Sequence, residues 1–260
     1  MYSMLGRQKI RYQFNREGYA IVPNIFNTHQ IMYLRKICEA VFNDWENSSS
    51  QQKRKLNKKS LDLFKKAEYF LDYPEQLKFL LNTIVDKRII SILKCICERQ
   101  LFFNGIVYFF NPRGISWHGD WHRDGQLVAP DDEIEKSRVF SSSFIRVHIA
   151  LINDDFLEIV PNSHSRWDTT EESEIRKGLN SHNNSDSMPY SHRVHLNPGD
   201  AVFFDGYSIH RGNYLKDKPR RTLAILYGSH VDWFTPTLND LIRSQISTNL
   251  PLRKQTFFCC

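Results

Sequence analysis

The sequence predicts a mainly β-fold with flanking helices, in which an N-terminal helical layer supports an antiparallel β-domain. Over residues 1–100, apolar side chains recur at three- and four-residue steps, which is typical of helices. After residue 100 they form short runs of β-branched and aromatic residues between turn formers. The 260 residues, 41% of them hydrophobic, can bury one sizeable core. We therefore expect a single domain over residues 1–260.

Helices and one short strand are predicted in the first hundred residues. Residues 14–23 combine a helical turn, a glycine stop and a β-prone run that ends at a proline. Asn27 or Thr28 can cap a helix whose apolar positions continue to Phe42. Further helices are predicted over 53–71 and 75–98.

The β-domain is predicted to span residues 101–230. Its strands are expected at 101–110, 144–152, 193–196, 200–204 and 222–228. Two long polar connections, 125–142 and 166–192, are predicted to be lid loops, because long loops in a domain commonly bind ligands or cover sites. Residues 231–260 are predicted to form a C-terminal extension.

Composition argues against several classes of protein. No apolar run approaches the roughly 18–20 residues that cross a bilayer, and the N-terminus has no apolar segment of a secretory signal. The five cysteines are odd in number and scattered, which argues against a disulfide framework. We therefore expect a cytoplasmic protein without a membrane span.

The net charge of +6 is concentrated in a basic run over residues 53–66. One interpretation is a nucleic-acid patch. The favoured interpretation is the solvated face of an amphipathic helix, because Leu56, Leu61 and Phe64 are interleaved with the charges.

Residues 116–126 contain two His-x-Asp pairs, His118/Asp120 and His122/Asp124. Residues two apart on a strand project from the same face, so either pair can offer a nitrogen and an oxygen to one metal ion. His210, at the end of a later apolar strand, offers a third ligand. Two histidines and one carboxylate leave positions open on the ion, as non-haem Fe(II) chemistry with O2 requires.

Arg220 and Arg221 begin another predicted strand after His210. The guanidinium group carries a planar fork of donors that can bind a carboxylate through two hydrogen bonds. The order of these parts is informative: a His-x-Asp pair, a gap near ninety residues, a histidine and then an arginine.

These parts and four flanking motifs resemble the phytanoyl-CoA dioxygenase family of Fe(II)- and 2-oxoglutarate-dependent oxygenases, over about residues 14–230. The flanking motifs lie at 14–23, 146–151, 157–167 and 198–205. The resemblance implies a double-stranded β-helix (a jelly-roll, cupin-like core) with helices packed outside it. It also implies Fe(II) held by a His-x-Asp pair and His210, and 2-oxoglutarate whose far carboxylate binds Arg221.

Strand alternation cannot choose between the two His-x-Asp pairs. The segment around His122 looks more like the family's ligand segment, and its separation of 88 residues from His210 suits the family's usual gap. The predicted metal ligands are therefore His122, Asp124 and His210. His118 and Asp120 would then line the pocket or orient a ligand.

The resemblance also implies the reaction. Related halogenating enzymes lack the ligand carboxylate, whereas both pairs retain Asp here, which favours C–H hydroxylation or another C–H oxidation. We expect an Fe(II)-, 2-oxoglutarate- and O2-dependent dioxygenase that hydroxylates a small molecule in natural-product or metabolite tailoring and releases succinate and CO2. The alternative is the same fold acting on or binding nucleic acid through residues 53–66.

Overall fold

Two antiparallel β-sheets with helices packed against them form the fold. The structure is a computed structural model, and it describes residues 3–47, 58–111, 116–127, 129–141, 143–229, 238 and 240–258. Lys53, Arg54, Lys55 and Leu56 of the basic run therefore lie outside the described residues, as do Cys259 and Cys260.

The strands of the described chain belong to a six-stranded and a four-stranded sheet. They are β1 (Tyr19–Val22), β2 (Ser60–Asp62), β3 (Phe102–Phe110), β4 (Trp117–His118), β5 (Phe144–Ala150), β6 (Leu157–Ile159), β7 (His192–Arg193), β8 (Ala201–Asp205), β9 (His210–Tyr214) and β10 (Arg221–Gly228). The large sheet has the order β1-β8-β5-β10-β3-β2, and the small sheet has the order β4-β9-β6-β7. Every pairing is antiparallel, so the predicted strand type is found.

The helices of the described residues lie before β3, in two of the connections between later strands, and after β10. They are α1 (Met4–Glu17), α2 (Thr28–Asn47), α3 (Pro74–Ile84), α4 (Lys87–Ile96), α5 (Asp132–Ser141), α6 (Thr170–Lys177), α7 (Asp240–Asn249) and α8 (Leu252–Gln255). Shorter 3₁₀ segments span Leu63–Leu71, Asp124–Leu127 and Ser163–Ser165.

Local capping explains two helix boundaries. α1 ends at Gly18, whose φ of 79° is readily adopted by glycine, as the glycine stop predicted. The single helix predicted over 75–98 is wrong: α3 and α4 are separate. Asp86 is extended and its side chain accepts the backbone N–H of Arg88, so it caps a new helix at that point.

Residues 60–71 form β2 and a 3₁₀ segment, and the helix predicted over 53–71 is wrong for this part. The Asp62 side chain accepts the backbone N–H of Phe64, and Lys66 has a non-helical φ of −112°. Leu61, Phe64 and Phe70 are nevertheless buried. The apolar residues among the charges thus pack inward, as the amphipathic interpretation requires.

The two predicted lid loops contain helices. α5 lies within 125–142, and α6 lies within 166–192. Thr169 and Glu172 form a capping box at the start of α6, and Gly178 ends it in the left-handed conformation. Both signals are visible in the sequence, although the polar composition of the segment favoured a loop.

The two faces of the large sheet have different partners. Ile145, Val147 and Ile149 of β5 belong to the core shared with the helices. The intervening side chains project from the opposite face because strand side chains alternate. A second apolar cluster lies between the sheets, where Val202 and Phe204 pack against Leu157 and Ile159. The helical layer thus supports one face, and the other face encloses the space between the sheets.

In the described part of the chain, no helix combines the length and the apolar character needed to cross a membrane. Cys38, Cys95 and Cys97 are free thiols.

Gly199 is predicted to be a site where only glycine fits. Its φ is +96°, and a Cβ would lie 2.5 Å from the backbone oxygen of Phe26. We expect Gly199→Ala to lower the free energy of unfolding by roughly 1–3 kcal/mol, measured by urea denaturation. Gly105→Ala is the matched control, because there a Cβ would meet only Leu226 Cδ1 at 3.8 Å. Equal losses in the two variants would contradict this account.

Candidate metal centre

The backbone pairs His122 directly with His210. Each residue donates its N–H to the carbonyl of the other, at 3.0 Å in both directions. The two residues are therefore opposite each other, although 88 positions separate them in the sequence. His210 begins β9 and does not end the preceding strand as predicted, because β8 stops at Asp205 and a turn follows.

Asp124 enters the site from a turn. Its N–H donates to the carbonyl of Gly206 at 2.8 Å, and it begins the Asp124–Leu127 3₁₀ segment. His122 and Asp124 thus do not share a regular strand, and the argument from strand alternation does not describe them. An isolated bridge and a turn bring the two side chains together instead.

Three potential ligand atoms converge in this arrangement. Asp124 Oδ1 lies 3.9 Å from His122 Nε2 and 3.8 Å from His210 Nε2. The two imidazole centroids are 4.4 Å apart. The three groups can each offer a ligand atom within 4.8 Å of the others, and this is the metal-compatible cluster found in the described residues.

Hydrogen bonds orient both imidazoles. His122 Nδ1 lies 2.8 Å from the carbonyl of Asp120, and His210 Nδ1 lies 2.9 Å from the carbonyl of Ser208. Because a carbonyl only accepts, Nδ1 carries the proton in each ring and Nε2 presents its lone pair. Such contacts are the usual way in which a metal-binding histidine is oriented.

The chemical state of these groups suits a metal ion. Burial lowers the pKa of His122 below its usual value and lowers the pKa of His210 well below it. Both rings are therefore neutral, the form that binds metals. His210 Nε2 is buried and has no hydrogen-bond partner in the described part of the chain. A metal ion would satisfy this atom.

Arg146 of β5 binds both carboxylate oxygens of Asp124 through a two-pronged ion pair. Each carboxylate oxygen has two lone pairs. Asp124 can therefore accept from Arg146 and still offer a lone pair to a metal. The guanidinium group holds the carboxylate in place beside the two imidazoles.

The other His-x-Asp pair lies outside the cluster. His118 and Asp120 are exposed, and His118 pairs with Asn213 at the edge of the small sheet. Within the described residues, Asp120 contacts the cluster through its backbone carbonyl, which lies 2.8 Å from His122 Nδ1. The structure thus brings His122 and Asp124 to His210, and leaves His118 apart.

The two consecutive arginines lie on opposite faces of the large sheet. Arg221 Nε donates to Glu39 Oε1 of α2 at 3.2 Å, on the helical side. Arg220 is only 2% exposed and lies on the side of the site, where it donates to the Tyr214 hydroxyl at 2.6 Å. This placement does not support the role predicted for Arg221.

His148 is a buried residue between the cluster and Arg220. Its ring packs on Phe204, which also contacts His210, and on Phe109, over which Arg220 lies. Burial lowers its pKa well below the usual value, and its Nε2 has no partner within the described residues. The sequence indicates that His148 and Arg146 share one face of β5. It does not indicate that His148 lies between Arg220 and the ligand cluster.

Comparisons with known proteins identify the family. The family model described as phytanoyl-CoA dioxygenase (PhyH) matches residues 14–222. The chain belongs to the phytanoyl-CoA dioxygenase family. It is thus a non-haem Fe(II)- and 2-oxoglutarate-dependent enzyme, and the predictions of family, enzyme class and cofactors are confirmed.

Solved structures share the fold of this PhyH-family chain. The carbocyclase SnoK from nogalamycin biosynthesis is 17% identical, with a TM-score of 0.62 and coverage of 92% of this chain and 90% of SnoK. HygX from Streptomyces hygroscopicus, with nickel and 2-oxoglutarate bound, is 14% identical, with a TM-score of 0.62 and 88% coverage of each chain. The epimerase SnoN, also from nogalamycin biosynthesis, is 13% identical, with a TM-score of 0.61 and coverage of 87% and 84%. No curated protein matches the sequence.

The geometry predicts which histidine variant loses iron. We expect His122→Ala to purify or reconstitute with little iron, because it removes one of three converging ligand atoms. His118→Ala is the matched control in the neighbouring pair and should retain wild-type iron content, measured by metal analysis after reconstitution with Fe(II). Iron lost from His118→Ala and retained by His122→Ala would reverse the assignment.

Proposed function

We propose that this PhyH-family chain is a dioxygenase that hydroxylates a C–H bond of a small molecule, with Fe(II) bound by His122, Asp124 and His210. The observation that carries this proposal is the convergence of the two Nε2 atoms and the carboxylate on one point. In the overall reaction, 2-oxoglutarate, O2 and the substrate R–H give succinate, CO2 and R–OH. One oxygen atom enters succinate and the other enters the alcohol.

The protein holds the metal with two neutral imidazoles and one carboxylate. This ligand set suits Fe(II) and leaves coordination positions for a co-substrate and O2. Bound iron supplies the O2 chemistry. The contribution of the chain is to fix the ligands, through the carbonyls of Asp120 and Ser208 and the guanidinium of Arg146.

Arg220 takes the place of Arg221 as the proposed partner of the far carboxylate of 2-oxoglutarate. Its guanidinium contacts the hydroxyls of Tyr214 and Thr222, at 2.6 Å and 3.1 Å, and lies 3.6 Å from Asp154 Oδ2. These groups hold the guanidinium in one orientation. The Tyr214 hydroxyl accepts from Arg220 and can donate its own proton to a carboxylate, whereas the Thr222 hydroxyl donates to Asp154. His148, whose Nε2 has no hydrogen-bond partner among the described residues, lies between Arg220 and the cluster.

Aromatic side chains surround the region between Arg220 and the proposed metal ligands. Phe109, Phe156 and Phe204 contact Arg220, His148 or His210. An apolar wall limits access of water and strengthens the interaction between a guanidinium and a carboxylate. In these apolar surroundings Arg220 would hold the far carboxylate of 2-oxoglutarate, and His122, Asp124 and His210 would hold the metal.

The substrate class is inferred from the neighbours and from the ligand set. SnoN has been solved with Fe3+, α-ketoglutarate and nogalamycin RO, and SnoK also belongs to nogalamycin biosynthesis. These neighbours support a small-molecule substrate and a biosynthetic role for this chain. Asp124 at the ligand position favours C–H hydroxylation over halogenation. Action on nucleic acid stays an alternative prediction, because residues 53–57 lie outside the described chain.

We also infer that the two sheets are the halves of a double-stranded β-helix, and that residues 1–260 form one oxygenase domain in the cytoplasm. The two facing antiparallel sheets, with the candidate metal centre on the side away from the helical layer, support the first inference. The free thiols of the described cysteines are compatible with a reducing compartment.

Turnover tests the proposed function. We expect the wild type to form succinate from 2-oxoglutarate in a manner that depends on Fe(II) and O2, and more rapidly with a substrate found by screening small natural products. His210→Ala should abolish this activity. The proposal fails if the iron-reconstituted wild type forms no succinate with any substrate in the screen.

Replacement of Arg220 should weaken co-substrate binding, whereas replacement of Arg221 should not. Arg220→Lys keeps the charge beside Asp154 but removes the planar fork, so we expect the KM for 2-oxoglutarate to rise about tenfold or more. Arg221→Lys is the matched control on the helical face and should leave this KM unchanged within about twofold. The measurement is succinate formation at varied 2-oxoglutarate. A rise confined to Arg221→Lys would restore the original prediction.

A further inference from the structure

Four buried charges form a cluster next to the metal-ligand segment. They are two arginines and two carboxylates that alternate in space, Arg123, Asp168, Arg176 and Glu135. The side chains of Arg123, Asp168 and Arg176 are fully buried, and that of Glu135 is 4% exposed. The charges sum to zero, which allows such a group to be buried.

Arg123 connects this cluster to the metal centre, because it stands between His122 and Asp124. Its Nε and Nη2 donate to Asp168 Oδ1 at 3.0 Å and 2.6 Å. Its Nη1 donates to the carbonyl of Ser163 at 2.7 Å and to that of Tyr207. Tyr207 precedes His210 by three residues, so one guanidinium joins both segments that carry the proposed ligands.

Arg176 of α6 contacts the other end of the ligand segment, at Gln126. It binds Asp168 Oδ2 at 2.6 Å and Glu135 Oε1 of α5 at 3.1 Å. Its Nη1 also donates to Gln126 Oε1 at 2.5 Å, two residues after Asp124. Asp168 thus uses one oxygen for Arg123 and the other for Arg176. It is the shared partner of both anchors of the ligand segment.

We propose that Asp168 is a positioning residue for the metal centre, acting through Arg123 and Arg176 on the segment from His122 to Gln126. The inference rests on the proposed function, since it takes His122, Asp124 and His210 as the metal ligands. Without the Asp168 carboxylate, the two guanidinium groups lose their shared partner and repel each other in a buried site. Residues that orient metal ligands commonly change metal affinity by 10–100-fold when replaced.

The test is the affinity of the apoprotein for Co(II) alone, titrated by its visible absorption, together with the free energy of unfolding. We expect Asp168→Asn to raise the Kd for Co(II) about tenfold or more. We also expect the spectrum of the Co(II)-saturated variant to differ from wild type, because the ligand geometry changes. Loss of stability alone does not alter the spectrum of the folded, saturated protein.

Glu172→Gln is the matched control. Glu172 is also a buried carboxylate at the start of α6 and forms a two-pronged ion pair, but with Arg166. It has no hydrogen bond to Arg123 or Arg176 among the contacts of the described chain. We expect this variant to lose stability while its Kd for Co(II) stays within about twofold of wild type.

The outcomes separate this inference from the proposed function. A Kd within about twofold of wild type in Asp168→Asn, or an equal rise in Glu172→Gln, overturns the positioning role. If Asp168→Asn does not fold, Arg123→Lys replaces it. Lysine cannot reach Asp168 and both carbonyls at once, so the Kd must rise there too, and an unchanged value overturns the inference. A wild type that binds no Co(II), or a His210→Ala variant that binds it normally, overturns the proposed ligand set as well.

Discussion

The candidate site depends on the mutual backbone pairing of His122 and His210. Two hydrogen bonds of 3.0 Å place these residues opposite each other, and their rings are 4.4 Å apart. Carbonyls two residues upstream of each histidine then fix which ring nitrogen is free. Asp124, brought in by the following turn and held by Arg146, completes the group. A shift of one residue in this pairing would turn an imidazole to the other side.

The two faces of the large sheet have different surroundings: one packs against the helices, and the other carries side chains of the candidate site. One face of β5 contributes Ile145, Val147 and Ile149 to the core shared with the helices, while the other face carries Arg146 and His148. The same alternation sends Arg221 to Glu39 of α2 and Arg220 to Tyr214. Polar groups gather on the inner face, where an anionic co-substrate and a metal ion would satisfy them. The candidate site thus lies on one face of the large sheet, and the other face packs against the helices.

Much of this arrangement could be predicted from the sequence, because hydrophobic periodicity and local motifs depend on nearby residues. The main strands and the helical N-terminal region were accessible in this way. The choice of His122 and Asp124 over His118 and Asp120 rested on the resemblance to the phytanoyl-CoA dioxygenase family, because strand alternation does not distinguish the two pairs. The choice between Arg220 and Arg221 was not accessible from the sequence, because the irregular connection after β9 sets which residue faces inward. Glu135, Asp168 and Arg176 lie in the two segments that were predicted to be polar loops. Only tertiary packing buries these charged side chains together. The helices α5 and α6 were missed because both segments are polar. In α6 this composition outweighed the capping signals of Thr169, Glu172 and Gly178.

The most direct measurement of the central claim is an anaerobic titration of the apoprotein with Fe(II) and 2-oxoglutarate, followed by visible absorption. If His122, Asp124 and His210 hold iron with positions left for the co-substrate, a metal-to-ligand charge-transfer band appears only when both are present and saturates at one iron per chain. The absence of the band in a folded, iron-loaded protein, or its persistence in His210→Ala, would contradict the account.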